Sequence, residues 1–173
     1  FFIITLGIGI AAFWAKRKLK GTEASSLYKM IIGLGAVGIG FLFMSAAASE
    51  YDSVGSSAMY WLVLAYLFHT IGELCLSPVS LSFVTKLAPA KYASIMMGIY
   101  FATTGLGNKA AGLLGESSTI FGEFKVFTGI AIFCMVFTIL VFIFLKKLKV
   151  LTHGAEDNEV DFSTKEKFEL TEN

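Results

Sequence analysis

Cysteine, proline and charge are all scarce in this chain, and each shortage removes a class of protein. The two cysteines, Cys75 and Cys134, both fall inside apolar runs, so the sequence holds neither a disulfide framework nor a metal-ligand spacing. Charged residues make up 16% of the 173 positions and hydrophobic ones 55%, with seventeen Phe, only two Pro and a mean hydropathy of +0.72. Those values exclude a soluble domain and place the chain in a lipid bilayer. Nothing pairs a nucleophile with a base, and no nucleotide loop stands in its proper context, so neither an enzyme nor a cofactor is expected. Nearly all the bases lie at the ends of apolar segments, where topology explains them, which leaves nucleic-acid binding without support. The chain also lacks an initial Met. It begins at Phe1 inside an apolar run of about fifteen residues, short of the roughly twenty needed to span, and the expectation is a helix whose start lies upstream. A secretory signal fits poorly, because its charges should precede the apolar stretch, whereas Lys16, Arg17, Lys18 and Lys20 follow it.

Apolar segments dominate what is present: Phe1 to Ala15, Tyr28 to Ala48, Ala58 to Leu87, Ser94 to Gly115, and Phe124 to Leu145. Lipid-facing backbone must satisfy its hydrogen bonds within the segment, and most of these runs are about twice the length of barrel strands. The fold expected is therefore all-α, a multi-pass membrane protein with about five transmembrane helices. Charge orders their ends. Lys16, Arg17, Lys18, Lys20 and Lys29 flank the first connection, Lys86 and Lys91 the third, and Lys146, Lys147 and Lys149 the end of the fifth segment. Glu50, Asp52, Glu116 and Glu123 are assigned to the other two loops, with Lys125 the only base at their edges. Cytoplasmic loops are rich in Lys and Arg, so Phe1 enters from outside and the C-terminus is cytoplasmic.

Two regions of unlike charge share the chain. Residues 1–151, the membrane part, hold twelve bases and six acids; residues 152–173 hold Glu156, Asp157, Glu159, Asp161, Glu166, Glu169 and Glu172 against Lys165 and Lys167. Few apolar residues there offset the entropy of ordering, so a disordered acidic cytoplasmic tail is expected. The formal net charge of +1 averages the two and says nothing about partners.

Glu73 stands near the centre of the third apolar segment. Insertion scales put a charged side chain there at roughly 3 kcal/mol unfavourable, so it persists where it meets a pathway, a partner charge or water. His69, Glu73 and Ser77 recur every four residues, forming a stripe about 12 Å long on one helix. Such a stripe suits a group that binds a cation or a proton at Glu73, with His69 able to share or hand on that proton. The plainer alternatives are an ion pair between helices for Glu73, a hydrogen bond to a neighbouring helix for His69, and a bond back to the preceding turn for Ser77. Pro78 leaves the Leu74 carbonyl without its helical donor, and a kink beside Glu73 is expected. Gly33, Gly35 and Gly38 have the spacing of a dinucleotide-binding loop but lie within an apolar helix, where they serve close packing. Gly107, Ala111 and Gly115 read in the same way, and Lys109 is placed to snorkel toward the interface.

The run Gly72-Glu73-Leu74-Cys75-Leu76-Ser77-Pro78-Val79, followed by Met97-Gly98-Ile99-Tyr100-Phe101 and Gly107-Asn108-Lys109-Ala110-Ala111-Gly112, resembles the proton-coupled oligopeptide transporter family of the major facilitator superfamily. The likeness is strongest from about Tyr60 to Gly115. It implies that the five segments correspond to helices eight to twelve of a twelve-helix fold, with the N-terminal half of the transporter missing from this chain. It implies proton-coupled uptake of di- and tripeptides across the cell membrane, with peptides, protons and the lipid bilayer as partners. By the same resemblance Glu73 contacts the peptide's amino terminus and takes part in proton coupling, Ser77 belongs to the same motif, and Tyr100 borders the peptide. Tyr100 stands where relatives often have Trp, and Ser80 where the motif often has Gly. The first-helix Glu-x-x-Glu-Arg motif lies outside this sequence, and it separates coupled transport from the alternatives: a relative carrying nitrate or another small solute, or a non-transporting sensor or assembly subunit. The topology has its own test. A thiol probe at Ser53→Cys is expected to react from outside and one at Asn158→Cys from inside; reaction of both from one side overturns the assignment.

Overall fold

The structure is a computed structural model, and it describes residues 2–19 and 25–151. Five helices follow one another: α1 (Phe2–Leu19), α2 (Ser26–Val54), α3 (Met59–Leu87), α4 (Ala93–Phe121) and α5 (Glu123–Leu151), with one short 3-10 turn at Ala90–Tyr92. No strand occurs among the described residues. The acidic tail expected over residues 152–173 lies outside them, as do Lys20 and the rest of the first connection through residue 24.

The helices run past the apolar segments at most of their ends. Glu50 and Asp52, assigned to a loop from the sequence, lie in the last turns of α2; Glu116 lies within α4 and Glu123 opens α5. The reason is that a helix ends where its backbone is stopped, and these acids do not stop it. Gly55 does, with φ of 75° and its N–H bonded to the Tyr51 carbonyl at 2.8 Å, a left-handed position that glycine takes without penalty. Gly122, at φ 89°, alone separates α4 from α5. At the other end of α3, Ala88 is extended, the conformation favoured before a proline, and Pro89 follows the end of the helix.

Three of the five helices, α2, α3 and α5, are long and apolar enough to cross a membrane. α1 has 18 residues, close to the lower limit. α4 matches the others at 29 residues, but Thr103, Thr104, Asn108, Lys109 and the Glu116-Ser117-Ser118-Thr119 run dilute its apolar content. Five helices are thus present where five were expected, and three satisfy the spanning criterion among the described residues.

α2 is the hub. It packs along α3 on one side and α5 on the other, while α1 touches α3, and α4 makes lighter contact with α3 and α5. Lipid offers no hydrophobic force between helices, so this packing depends on small residues and interhelical polar bonds. A Cβ on Gly33 would sit 2.9 Å from the Gly72 carbonyl oxygen, and one on Gly72 would sit 2.8 Å from that of Gly33 and 2.5 Å from the Val37 side chain. Toward α5, a Cβ on Gly38 would sit 3.3 Å from Cys134 and 3.4 Å from Met135. Ser45, buried on α2, shares a 2.5 Å hydrogen bond with Thr128 of α5. Bonds of this kind contribute about 0.6 to 2 kcal/mol in membranes. The outward side of α5, with Phe133, Phe137, Phe142 and Ile143, is exposed and apolar, as a lipid-facing surface should be.

Gly72→Ala is expected to destabilise the purified protein by about 1 to 3 kcal/mol, because the α2–α3 contact has no room for the added methyl. Gly129→Ala, with nothing within 4 Å of its added carbon, should be neutral or slightly stabilising. Thermal unfolding in detergent measures both, and equal effects would mean that the seam tolerates expansion.

Candidate functional site

α3 presents two unlike faces. Ala65, Thr70, Gly72 and Cys75 are buried, and Thr70 bonds its own helix through the Tyr66 carbonyl at 2.7 Å. Glu73, Ser77 and Pro78 are exposed on the side that α2 leaves open. Since Pro78 has no N–H to offer, the Leu74 carbonyl loses its usual donor one residue from Glu73.

The stripe read from the sequence divides. His69 is half-buried and turned into the seam: a Cβ on Gly40 would collide with its imidazole, and its ring meets Phe41 edge-on with centroids 4.7 Å apart. Its Nε2 is buried without a hydrogen-bond partner, so that nitrogen is not bonded to the Glu73 carboxylate. The geometry explains the split. Four residues advance about 40° beyond one helical turn, so His69 and Ser77 differ by about 80° around the axis, enough for one to face α2 while the other faces away.

Tyr100, on α4, is half-buried and joined to α3 by a 2.8 Å hydrogen bond between its hydroxyl and Ser80 Oγ. Ser80 also donates to the Ser77 carbonyl at 3.1 Å. The two positions at which this chain departs from the motif it resembles are therefore bonded to each other. Sequence reading noted both and missed the bond, which no local spacing announces because the partners are twenty residues apart. Nothing groups three His, Cys, Asp or Glu side chains as a metal site among the described residues.

A cleft of about 450 Å³ opens between α2, α3 and α5, lined by Tyr51, Ser57, Trp61, Glu123 and Phe127 among others. From Leu62 on its wall to Glu73 is about 17 Å by helical rise, so it is separate from the stripe. Beside it Glu50 accepts hydrogen bonds from Trp61 Nε1 at 2.5 Å and from the Ala58 N–H at 3.4 Å. The carboxylate thereby serves a free donor at the start of α3 and ties α2 to it.

Residues 1–126 match the profile described as PTR2, POT family. The chain is 40% identical over 116 residues to the peptide transporter YePEPT of Yersinia enterocolitica, covering 66% of this chain and 23% of that protein. It is 36% identical over 100 residues to a di-/tripeptide transporter of Lactococcus lactis, covering 58% and 20% respectively. The chain thus spans about a fifth to a quarter of the length of these curated relatives. A crystal structure of a POT family transporter in complex with a thioalcohol-conjugated peptide superposes with a TM-score of 0.76 at 27% identity, over 84% of this chain and 29% of that one. A second, in complex with 5-aminolevulinic acid, gives 0.75 at 27% identity over the same shares.

The fit of His69 against Gly40 yields a paired test. Gly40→Ala should cost about 1 to 3 kcal/mol by driving the added methyl into the imidazole. His69→Ala in the same molecule should recover most of the loss, since it vacates that volume. Thermal unfolding of the single and double variants decides it, and simple additivity would refute the contact.

Proposed function

The chain belongs to the POT family, and on that premise we propose that it forms helices eight to twelve of a proton-coupled secondary transporter of di- and tripeptides in the cell membrane, with its C-terminus cytoplasmic. One observation carries the proposal. Glu73 is the only carboxylate in the apolar middle of any of these helices, and it lies on the open face of α3 rather than in a helix–helix seam. A charge that served only to join α3 to α2 would lie in that seam instead.

The open face is where the N-terminal half of the transporter closes the site, since transporter sites lie between halves that rock against each other. Ionised, Glu73 holds the ammonium of a peptide through a charge-assisted hydrogen bond. Protonated, it releases that ammonium, so one group links proton binding to substrate binding. Each proton moving down the membrane potential supplies about 2.3 kcal/mol per 100 mV, and no hydrolysis is needed. Ser77 adds a hydroxyl one turn away, and Tyr100 borders the peptide from α4. His69 acts on proton coupling less directly, from the α2 seam.

In the full-length protein Glu73→Gln keeps the shape and removes the titratable charge, so proton-driven dipeptide uptake in liposomes is expected to fall at least tenfold, the order of one charged hydrogen bond. His69→Ala should do less. Acetylating the peptide's amino terminus should weaken binding to the parent far more than to Glu73→Gln, because the charge pair is already absent there. Equal loss in both would mean that Glu73 does not hold the amino terminus.

A further inference from the structure

Ser80 lies three residues beyond Ser77 and seven beyond Glu73, so it continues the open face of α3 about 10 Å along the axis from the carboxylate. Its hydroxyl has one proton and two neighbours. The Ser77 carbonyl, 3.1 Å away, can only accept, so the Ser80 proton goes there. The Tyr100 hydroxyl, 2.8 Å away on the other side, must then be the donor to Ser80 Oγ. The chain of bonds runs from the Tyr100 O–H to Ser80 Oγ, and from the Ser80 O–H to the Ser77 carbonyl.

That direction has a chemical consequence. A phenol has a single proton, and here it is spent on Ser80, so Tyr100 can offer a bound molecule its ring and an acceptor lone pair, and no donor. With ionised Glu73 on the same face, the polar groups of this wall favour N–H donors and ammonium groups and repel carboxylates. We propose that Ser80 is a positioning residue for substrate selection: by occupying the Tyr100 proton it keeps the phenol from donating to the substrate, so that this side of the site discriminates against peptides with an acidic side chain. The inference rests on the peptide-transport reading above, and it assigns to Ser80 a role that contact with substrate does not supply.

The test compares uptake of alanyl-alanine and alanyl-glutamate by the full-length transporter in liposomes under an inwardly directed proton gradient. Ser80→Ala frees the phenol proton, and the preference for the neutral peptide should narrow by about threefold to tenfold, the range of one hydrogen bond. Ser80→Thr keeps the hydroxyl and should keep the parent ratio. Tyr100→Phe has no proton to free, so it should not narrow the preference, and Ser80→Ala combined with Tyr100→Phe should return to the Tyr100→Phe ratio. A merely structural loss would depress both peptides alike and would not be reversed in the pair. Should Ser80→Ala not assemble, Ser80→Cys keeps the volume with a weaker acceptor and carries the same comparison. A ratio unchanged in Ser80→Ala, or a shift that persists after Tyr100→Phe, overturns the role of Ser80 while leaving peptide transport standing. A parent protein without proton-driven peptide uptake overturns the transport reading, and this inference with it.

Discussion

The approach of α2 to α3 at Gly33 and Gly72 is the constraint on which the rest of the arrangement depends. Each glycine lies where any side chain would press on the other helix's carbonyl oxygen, at 2.9 and 2.8 Å, so the two backbones are nearly in contact. In lipid this matters more than it would in water, because apolar side chains gain nothing by leaving hydrocarbon for a neighbouring helix; close fit and polar bonds must hold the pair. Once α3 is fixed on α2, its remaining surface is fixed too. The seam takes Ala65, Thr70, Gly72 and Cys75, and the side carrying Glu73 and Ser77 is left open.

α2 uses its other side in the same way. Gly38 receives Cys134 and Met135, and the buried Ser45 hydroxyl bonds to Thr128. An unpaired hydroxyl at that depth would be costly, so this bond also fixes the register of α5 against α2. The result is a packed trio of α2, α3 and α5, with Glu50 closing one end by accepting from Trp61 and from the first N–H of the α3 cap. α4 differs: none of its residues is buried, and its hydroxyls on Thr103, Thr104, Ser117 and Ser118 bond back to their own helix.

Much of this was legible in the sequence because lipid simplifies the rules. Apolar runs bounded by Lys and Gly announced five helices, and the glycines at 33, 35 and 38 were rightly read as packing positions and not a nucleotide loop: Gly33 meets α3, while Gly35 and Gly38 meet α5. What escaped the sequence depends on rotation and on distant partners. Spacing by four placed His69 with Glu73, yet the edge of the seam falls between them, and that edge is set by which residues of α2 are small enough to admit an imidazole. Glu50 read as a loop charge because loops were bounded by charge, whereas the helix continues to the glycine that stops it. The Ser80–Tyr100 bond joins residues on two helices that barely touch, and no periodicity within either one encodes it.

α3 runs as one helix from Met59 to Leu87, so Glu73 and Ser80 belong to the same rod, and Ser80 connects that rod to α4 through Tyr100. Pro78 lies between the two residues. It removes the hydrogen bond to the Leu74 carbonyl, one of the few that resist bending between the carboxylate and the serine. The part of α3 that carries Glu73 is anchored to α2 at Gly72 and Cys75, on the near side of the proline; the part that carries Ser80 is joined to α4 on the far side. Glu73 therefore stands between the closely packed α2–α3 contact and the lighter α3–α4 one. Pro78 thus lies between the Gly72 contact with α2 and the Ser80–Tyr100 bond to α4, at the point of α3 where a bend alters the distance between the Glu73 carboxylate and the Tyr100 hydroxyl.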